Sequence, residues 1–179
     1  MTVFIMNKNK SITKRVALLG IMGALALALS FLESLIPALP GLPPGAKPGL
    51  SNVVTMFMAS SSGVADAFFI TIFKALFAAV TRGTTAAVMS ASGGLLSTIA
   101  ACILLRSQKN TFGYIGIGII CAVCHNIGQL ISACILSGTP ALITGYGPLL
   151  LVLAVATGFV TGAVLKLVLP ALEKIINRI

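Results

Sequence analysis

The chain has 179 residues and is 58% hydrophobic but only 8% charged; ordinary soluble domains carry roughly 25% charged residues. That composition excludes a soluble domain, leaves no room for a separate soluble catalytic module, and points to a single-domain, all-α integral membrane protein. The formal charge of +9 could suggest nucleic acid, but the bases lie at the ends of apolar segments, the pattern of membrane topology and of attraction to anionic lipid heads.

The N-terminus has basic residues followed by apolar ones, as a signal peptide does. The apolar run from Val16 to Leu32 is longer than a typical signal core, and further spans follow, so residues 1–13 are expected to be a cytoplasmic arm and residues 14–36 a retained first helix. On that helix Gly20, Ala24 and Ala28 recur four apart with Gly23 beside them, a spacing that lets another helix approach closely. Glu33 lies near its far end.

The stretch from Pro37 to Asn52 holds five of the eight prolines. Proline fixes φ and removes a backbone donor, so this segment cannot be a helix interior. Unpaired backbone is not tolerated against lipid, so it must sit in water or be buried in protein at the mouth of a cavity. Residues 37–49 are therefore expected to form an extracellular Pro/Gly-rich cap, with Lys47 either reaching towards a ligand or simply solvated.

A second helix over 50–61 covers under two-thirds of a ~30 Å hydrocarbon core, at about 1.5 Å per residue. A serine-rich break precedes a third helix over 65–81. Asp66 at its start suits the positive end of the helix dipole, and Lys74 lies inside it. After the turn at Arg82, the fourth helix is expected over 85–105, the fifth over 112–136 with His125, Asn126 and Gln129, and the sixth over 148–169, with Pro170 as a kink. Residues 106–111 and 137–147 read as loops. Gly158 and Gly162 form a GxxxG pair suited to packing.

Six spans put both termini on one side. Lys8, Lys10, Lys14, Arg15, Arg106, Lys109, Lys174 and Arg178 gather there, against Lys47 and Arg82 on the other. The asymmetry places the termini in the cytoplasm. Ionisable groups within a membrane are costly and usually face a cavity or a partner. Glu33, Lys47, Asn52 and Arg82 fall towards the outer face with Lys74 about two turns below, a set suited to an anionic or zwitterionic ligand. The alternative is that Glu33 pairs with one lysine while the others snorkel to the interface.

Other chemistries are disfavoured. Cys121, Cys124 and His125 match C-x-x-C-H, but inside an apolar helix, where haem attachment is not expected; the four cysteines read as small packing residues. A metal-ligand set, a phosphate-binding G-x-x-x-x-G-K-[ST] loop and a Ser/His/Asp grouping are all missing. Three acids cannot build the Mg²⁺ site that prenyl diphosphate chemistry needs. No cofactor, metal or catalytic residue is expected.

The segment PGAKPGLSNVVT, after a first helix ending in LESLIP and with SASGGLLS in the fourth, resembles the Gx transporter family, also described as heptaprenyl diphosphate synthase component I. That family is similar to the substrate-binding S components of energy-coupling factor (ECF) transporters. The resemblance implies a six-helix fold in a bacterial plasma membrane, a ligand near the outer face and a first loop that gates it. It also implies docking of a membrane scaffold subunit, driven by two cytoplasmic ATPases, on the Gly20, Ala24 and Ala28 positions. Lys47 and Arg82 would then attract an anionic or amphipathic solute, Asn52, Lys74 and Asn126 would line its pocket, and Glu33 would orient Lys47 or the ligand. A different reading is a non-catalytic membrane subunit tied to isoprenoid or quinone metabolism or to flavin-linked electron transfer.

Overall fold

A computed structural model describes residues 12–35, 46–106 and 112–178. The first eleven residues of the expected arm, most of the Pro/Gly cap and most of the 106–111 loop lie outside the described residues. Those described contain six helices and no strand: α1 (Ile12–Leu35), α2 (Asn52–Ser61), α3 (Val64–Arg82), α4 (Thr84–Arg106), α5 (Tyr114–Ser137) and α6 (Leu142–Arg178).

Five of them, all but α2, are long and apolar enough to cross a membrane. Their outward faces carry large apolar side chains such as Ile21, Ile72, Leu76, Ile103 and Val152, as expected where lipid replaces water. With ten residues, α2 is only about 15 Å long. It differs from the others in being enclosed: nine of its ten residues are buried. A helix that is apolar or small-residued all round is stable only inside other helices. The six expected spans thus resolve into five long helices and one short internal one.

The long helices follow one another around α2. α3 packs on α1 and α4, α4 on α5, and α5 on α6, while α2 touches α1, α3, α4 and α6. Hydroxyl and amide side chains tie neighbours together. Thr71 and Thr98 share a 2.6 Å hydrogen bond between α3 and α4, Ser132 donates to Ser92 at 2.7 Å between α5 and α4, and Asn126 donates to the Leu150 carbonyl of α6 at 2.8 Å. Such bonds between helices contribute about 0.6 kcal/mol each on average.

Closest approach occurs between α5 and α6, where the glycine pair read from the sequence meets Gly118. A Cβ on Gly158 would lie 2.8 Å from the Gly118 carbonyl oxygen, and one on Gly118 would lie 2.7 Å from the backbone of Gly162. The backbones touch because no side chain intervenes.

Asp66 sits in the first turn of α3, as expected for the dipole. It is buried and also accepts from the Arg15 guanidinium of α1, with Nε 3.1 Å from each carboxylate oxygen. The ion pair fastens the first turns of α1 and α3 together.

Helix α6 departs from expectation. It begins at Leu142 and continues through Pro148 and Pro170 to Arg178, where a loop to 147 and an end near 169 were expected. Thr139, Pro140 and Ala141 carbonyls accept the first amides, so the helix starts before Pro148 is reached. Each proline then removes one i→i−4 bond without ending the helix, which membrane helices tolerate.

Gly158→Leu should force α5 and α6 apart and cost about 3 kcal/mol or more, the upper range of overpacking. Thermal unfolding in detergent should show a lowered midpoint. Gly145→Leu, with open space around its Cβ, should leave the midpoint unchanged.

Candidate functional site: a cationic cavity under an extended strap

Between residues 46 and 49 the backbone has no regular structure, and a turn at Leu50 leads into α2. This strap is half-buried against the bundle, with Gly49 and Ser51 buried, so its inward-facing peptide groups need partners other than water. Side chains provide them. Gln129 of α5 grips the Lys47 peptide on both sides: Lys47 N–H donates to Oε1 at 3.0 Å, and Nε2 donates to the Lys47 carbonyl at 3.1 Å. Glu33 of α1 accepts from the Ser51 N–H at 3.0 Å and from the Ser51 hydroxyl at 3.4 Å. The carboxylate therefore stands at the N-terminus of α2, where the helix dipole favours a negative charge.

Gly49 turns the strap. Its φ of +83° suits glycine, and a Cβ there would lie 2.8 Å from His125 Cδ2. On its other side His125 is met by Gly93 of α4, whose added Cβ would lie 2.8 Å from Nδ1. Two glycines thus make the slot for one buried imidazole. Gln129 Nε2 donates to His125 Nε2, which leaves the ring proton on Nδ1. That atom closes no hydrogen bond among the described residues.

Beneath the strap is a small cavity lined by Lys47, Glu33, Lys74, Arg82, His125 and Gln129, with Ser30, Gly49, Ser51 and Ser90 between them. Its volume is about 20 Å³, enough for about one water. Helical spacing explains the set. Ser30 and Glu33 share a face of α1, Lys74 and Arg82 are two turns apart on α3, and His125 and Gln129 are one turn apart on α5.

Each lysine is already tethered. Lys47 Nζ donates to the Ser30 carbonyl at 2.6 Å, and Lys74 Nζ donates to Asn52 Oδ1 at 2.7 Å. Glu33 spends its hydrogen bonds on Ser51 and forms no ion pair with Lys47, Lys74 or Arg82 among the described residues. Three cationic side chains face one carboxylate around the cavity, an excess of two positive charges in a half-buried setting. Burial pushes the Lys47 ammonium down to about 8, with nearby Arg82 acting in the same direction and Glu33 against it.

Of the residues expected to meet a ligand, Glu33, Lys47, Lys74 and Arg82 come together at this cavity. Asn52 stands behind, holding Lys74. Asn126 is elsewhere: it faces α6 and bonds Leu150. His125 and Gln129 take the place given to it. Asn126 lies about 100° around α5 from His125, whereas Gln129 lies one turn on; that one-turn spacing was the available signal. Gly20, Ala24 and Ala28 are exposed on α1, on the side away from buried Met22, Ala26 and Ser30.

A helical bundle with five long apolar helices, a broken segment packed within it and ionisable side chains converging on that break is a multi-pass membrane protein with a polar internal site. The chain belongs to the heptaprenyl diphosphate synthase component I family, whose family model matches residues 22–168. Comparisons with curated proteins and with solved structures give no significant match.

Acylation of Lys47 by an amine-directed reagent should follow a titration with a midpoint near pH 8 rather than near its ordinary value. Glu33→Gln should lower that midpoint and Arg82→Gln should raise it, because the first removes a charge favouring the ammonium and the second removes one opposing it. Peptide mapping by mass spectrometry across a pH series would read all three.

Proposed function

We propose that the protein is the substrate-binding membrane subunit of an ECF-type transporter, and that it captures a small anionic or amphipathic solute at the outer face. The observation that carries this reading is the charge excess at the cavity: Lys47, Lys74 and Arg82 against Glu33 alone. Buried charge without a partner is costly, and an anion is the partner whose chemistry matches. Lys47 and Arg82 would attract it, and Lys74, set in place by Asn52, would bind it from below. Glu33 orients the strap rather than the anion.

The cavity holds little more than a water, so a larger solute enters only when the strap lifts. Residues 46–51 would then act as the gate, and the Gln129 and Glu33 bonds as its fastenings. The exposed Gly20, Ala24 and Ala28 positions suit close approach of a scaffold helix, with two cytoplasmic ATPases supplying energy. Both termini would be cytoplasmic in a bacterial cell membrane, with the Arg15–Asp66 pair at the inner end. The chain itself would not be an enzyme.

A second reading is favoured by the family description: a non-catalytic membrane subunit associated with isoprenoid or quinone metabolism. Affinity purification from native membranes separates the two. An ATPase module among the co-purifying proteins supports the first, and a prenyl diphosphate synthase without ATPases supports the second.

Anion binding should weaken at least tenfold in Lys47→Ala, measured by calorimetry on purified protein; unchanged binding would remove Lys47 from the site. In the wild type, affinity should hold below about pH 8 and fall as pH rises through it, because the ammonium loses its proton there. Ala24→Leu should lower recovery of the partner complex severalfold without altering anion affinity.

A further inference from the structure

On the side of the α3–α4 pair that faces lipid there is a groove of about 270 Å³. Its lining is almost wholly apolar. Ala75 and Ala79 on α3 and Ala87 and Ala91 on α4 form its floor, each pair four residues apart, and Leu76 and Val88 stand exposed as its walls. The groove shares no lining residue with the cavity, but helical spacing places the two close together along α3. Arg82 lies seven residues after Ala75 and three after Ala79, so it heads the same stripe of α3. Its side chain lines the polar cavity. Ser90 of α4 also lines the cavity and is followed directly by Ala91 of the groove.

The two volumes decide how a ligand could be divided. The polar cavity, at about 20 Å³, holds about one water and must widen to take even a small charged head, while the groove near it offers more than ten times that space. A molecule held by its charge at the cavity must put its remaining bulk somewhere, and the space that begins below Arg82 accepts only hydrocarbon.

We infer that the ligand is a single-chain anionic amphiphile, with its charged head at Lys47, Lys74 and Arg82 and its alkyl tail along the α3–α4 groove. This rests on the anion-binding reading above and adds the tail. An excess of two positive charges suits a phosphate monoester, which approaches two negative charges near neutral pH. The groove gives no hydrophobic advantage over bilayer for a chain already in lipid. Specificity therefore comes from the head, and the tail gains by being placed when the head is bound.

The test uses full-length protein in nanodiscs of zwitterionic phosphatidylcholine, so that the bilayer surface does not itself attract the anion. Dodecyl phosphate carrying a diazirine near the chain end is photolysed, and labelled residues are mapped by mass spectrometry. Label is expected on groove residues of α3 and α4, competed by unlabelled dodecyl phosphate and reduced at least tenfold in Lys47→Ala and Arg82→Gln. Ala79→Leu and Ala87→Leu, which fill the groove from its two helices, should each weaken dodecyl phosphate at least tenfold and leave ethyl phosphate unchanged. Equal groove labelling by the matching dodecanol probe, indifferent to the cation substitutions, would mean bilayer lipid alone and would overturn the inference. Ethyl phosphate binding as tightly as dodecyl phosphate, with no groove label, would overturn the tail and leave the anion site standing. Failure of both phosphates to bind would remove the anion site as well.

Discussion

A peptide group inside a membrane protein must find a hydrogen bond within the protein. This requirement organises the molecule around residues 46–51. The proline-rich sequence prevents a continuous helix from α1 into α2, so an extended segment enters the bundle with open donors and acceptors. Gln129 meets one peptide on both its edges, and Glu33 meets the first amide ahead of α2. Leaving a single buried group unpaired costs about 1–3 kcal/mol. Two polar side chains in apolar helices are thereby explained by the backbone they serve.

The same arrangement creates the electrostatic problem at the centre of the site. Glu33 is the acid nearest to three cations, yet its oxygens are turned to the strap. Lys47 and Lys74 are left with neutral oxygens, from Ser30 and Asn52. A neutral acceptor solvates an ammonium without cancelling its charge. The strap also carries Lys47, so closing it brings a third positive charge towards Lys74 and Arg82. On the gating reading proposed above, closure would be opposed by like-charge repulsion when the cavity lacks an anion and favoured when one is bound. A ligand with differential affinity for the closed form would then set the position of the strap.

Much of the fold was legible in the sequence because long apolar runs with few breaks leave little choice. Five helices fall within about two residues of their expected limits. The sixth does not, because Pro148 reads as a helix start; a proline marks a helix boundary well in water and poorly where neighbours re-satisfy the backbone. Helix α2 was visible as too short to span, but its burial was not, since that depends on how α1, α3, α4 and α6 pack around it. At the site, ionisable residues stood out against an apolar background, so Glu33, Lys47, Lys74 and Arg82 could be named in advance. Neutral partners could not be ranked the same way. Asn126 and Gln129 are chemically alike, and only the helical phase relative to His125 separates the one bound to α6 from the one bound to the strap.

Helix α1 joins the separate parts. From Arg15 to Glu33 it rises roughly 27 Å, close to the hydrocarbon thickness of a bilayer. Arg15 fixes its first turn to Asp66 of α3, and Ser30 and Glu33 fix its last turns to Lys47 and Ser51. Between these fastenings its buried side packs with small residues: a Cβ added at Gly23 would lie 3.6 Å from the side chains of Ile70 and Phe73, and Ala26 is fully enclosed. The opposite side presents Gly20, Ala24 and Ala28 outwards. Force on that outer side therefore acts on a rod whose far end carries two of the strap's attachments. A shift of α1 along its axis would move Glu33 and the Ser30 carbonyl together, while Gln129 on α5 stayed in place. The strap is held from two helices, α1 through Ser30 and Glu33 and α5 through Gln129, so a displacement of α1 alone would strain that hold.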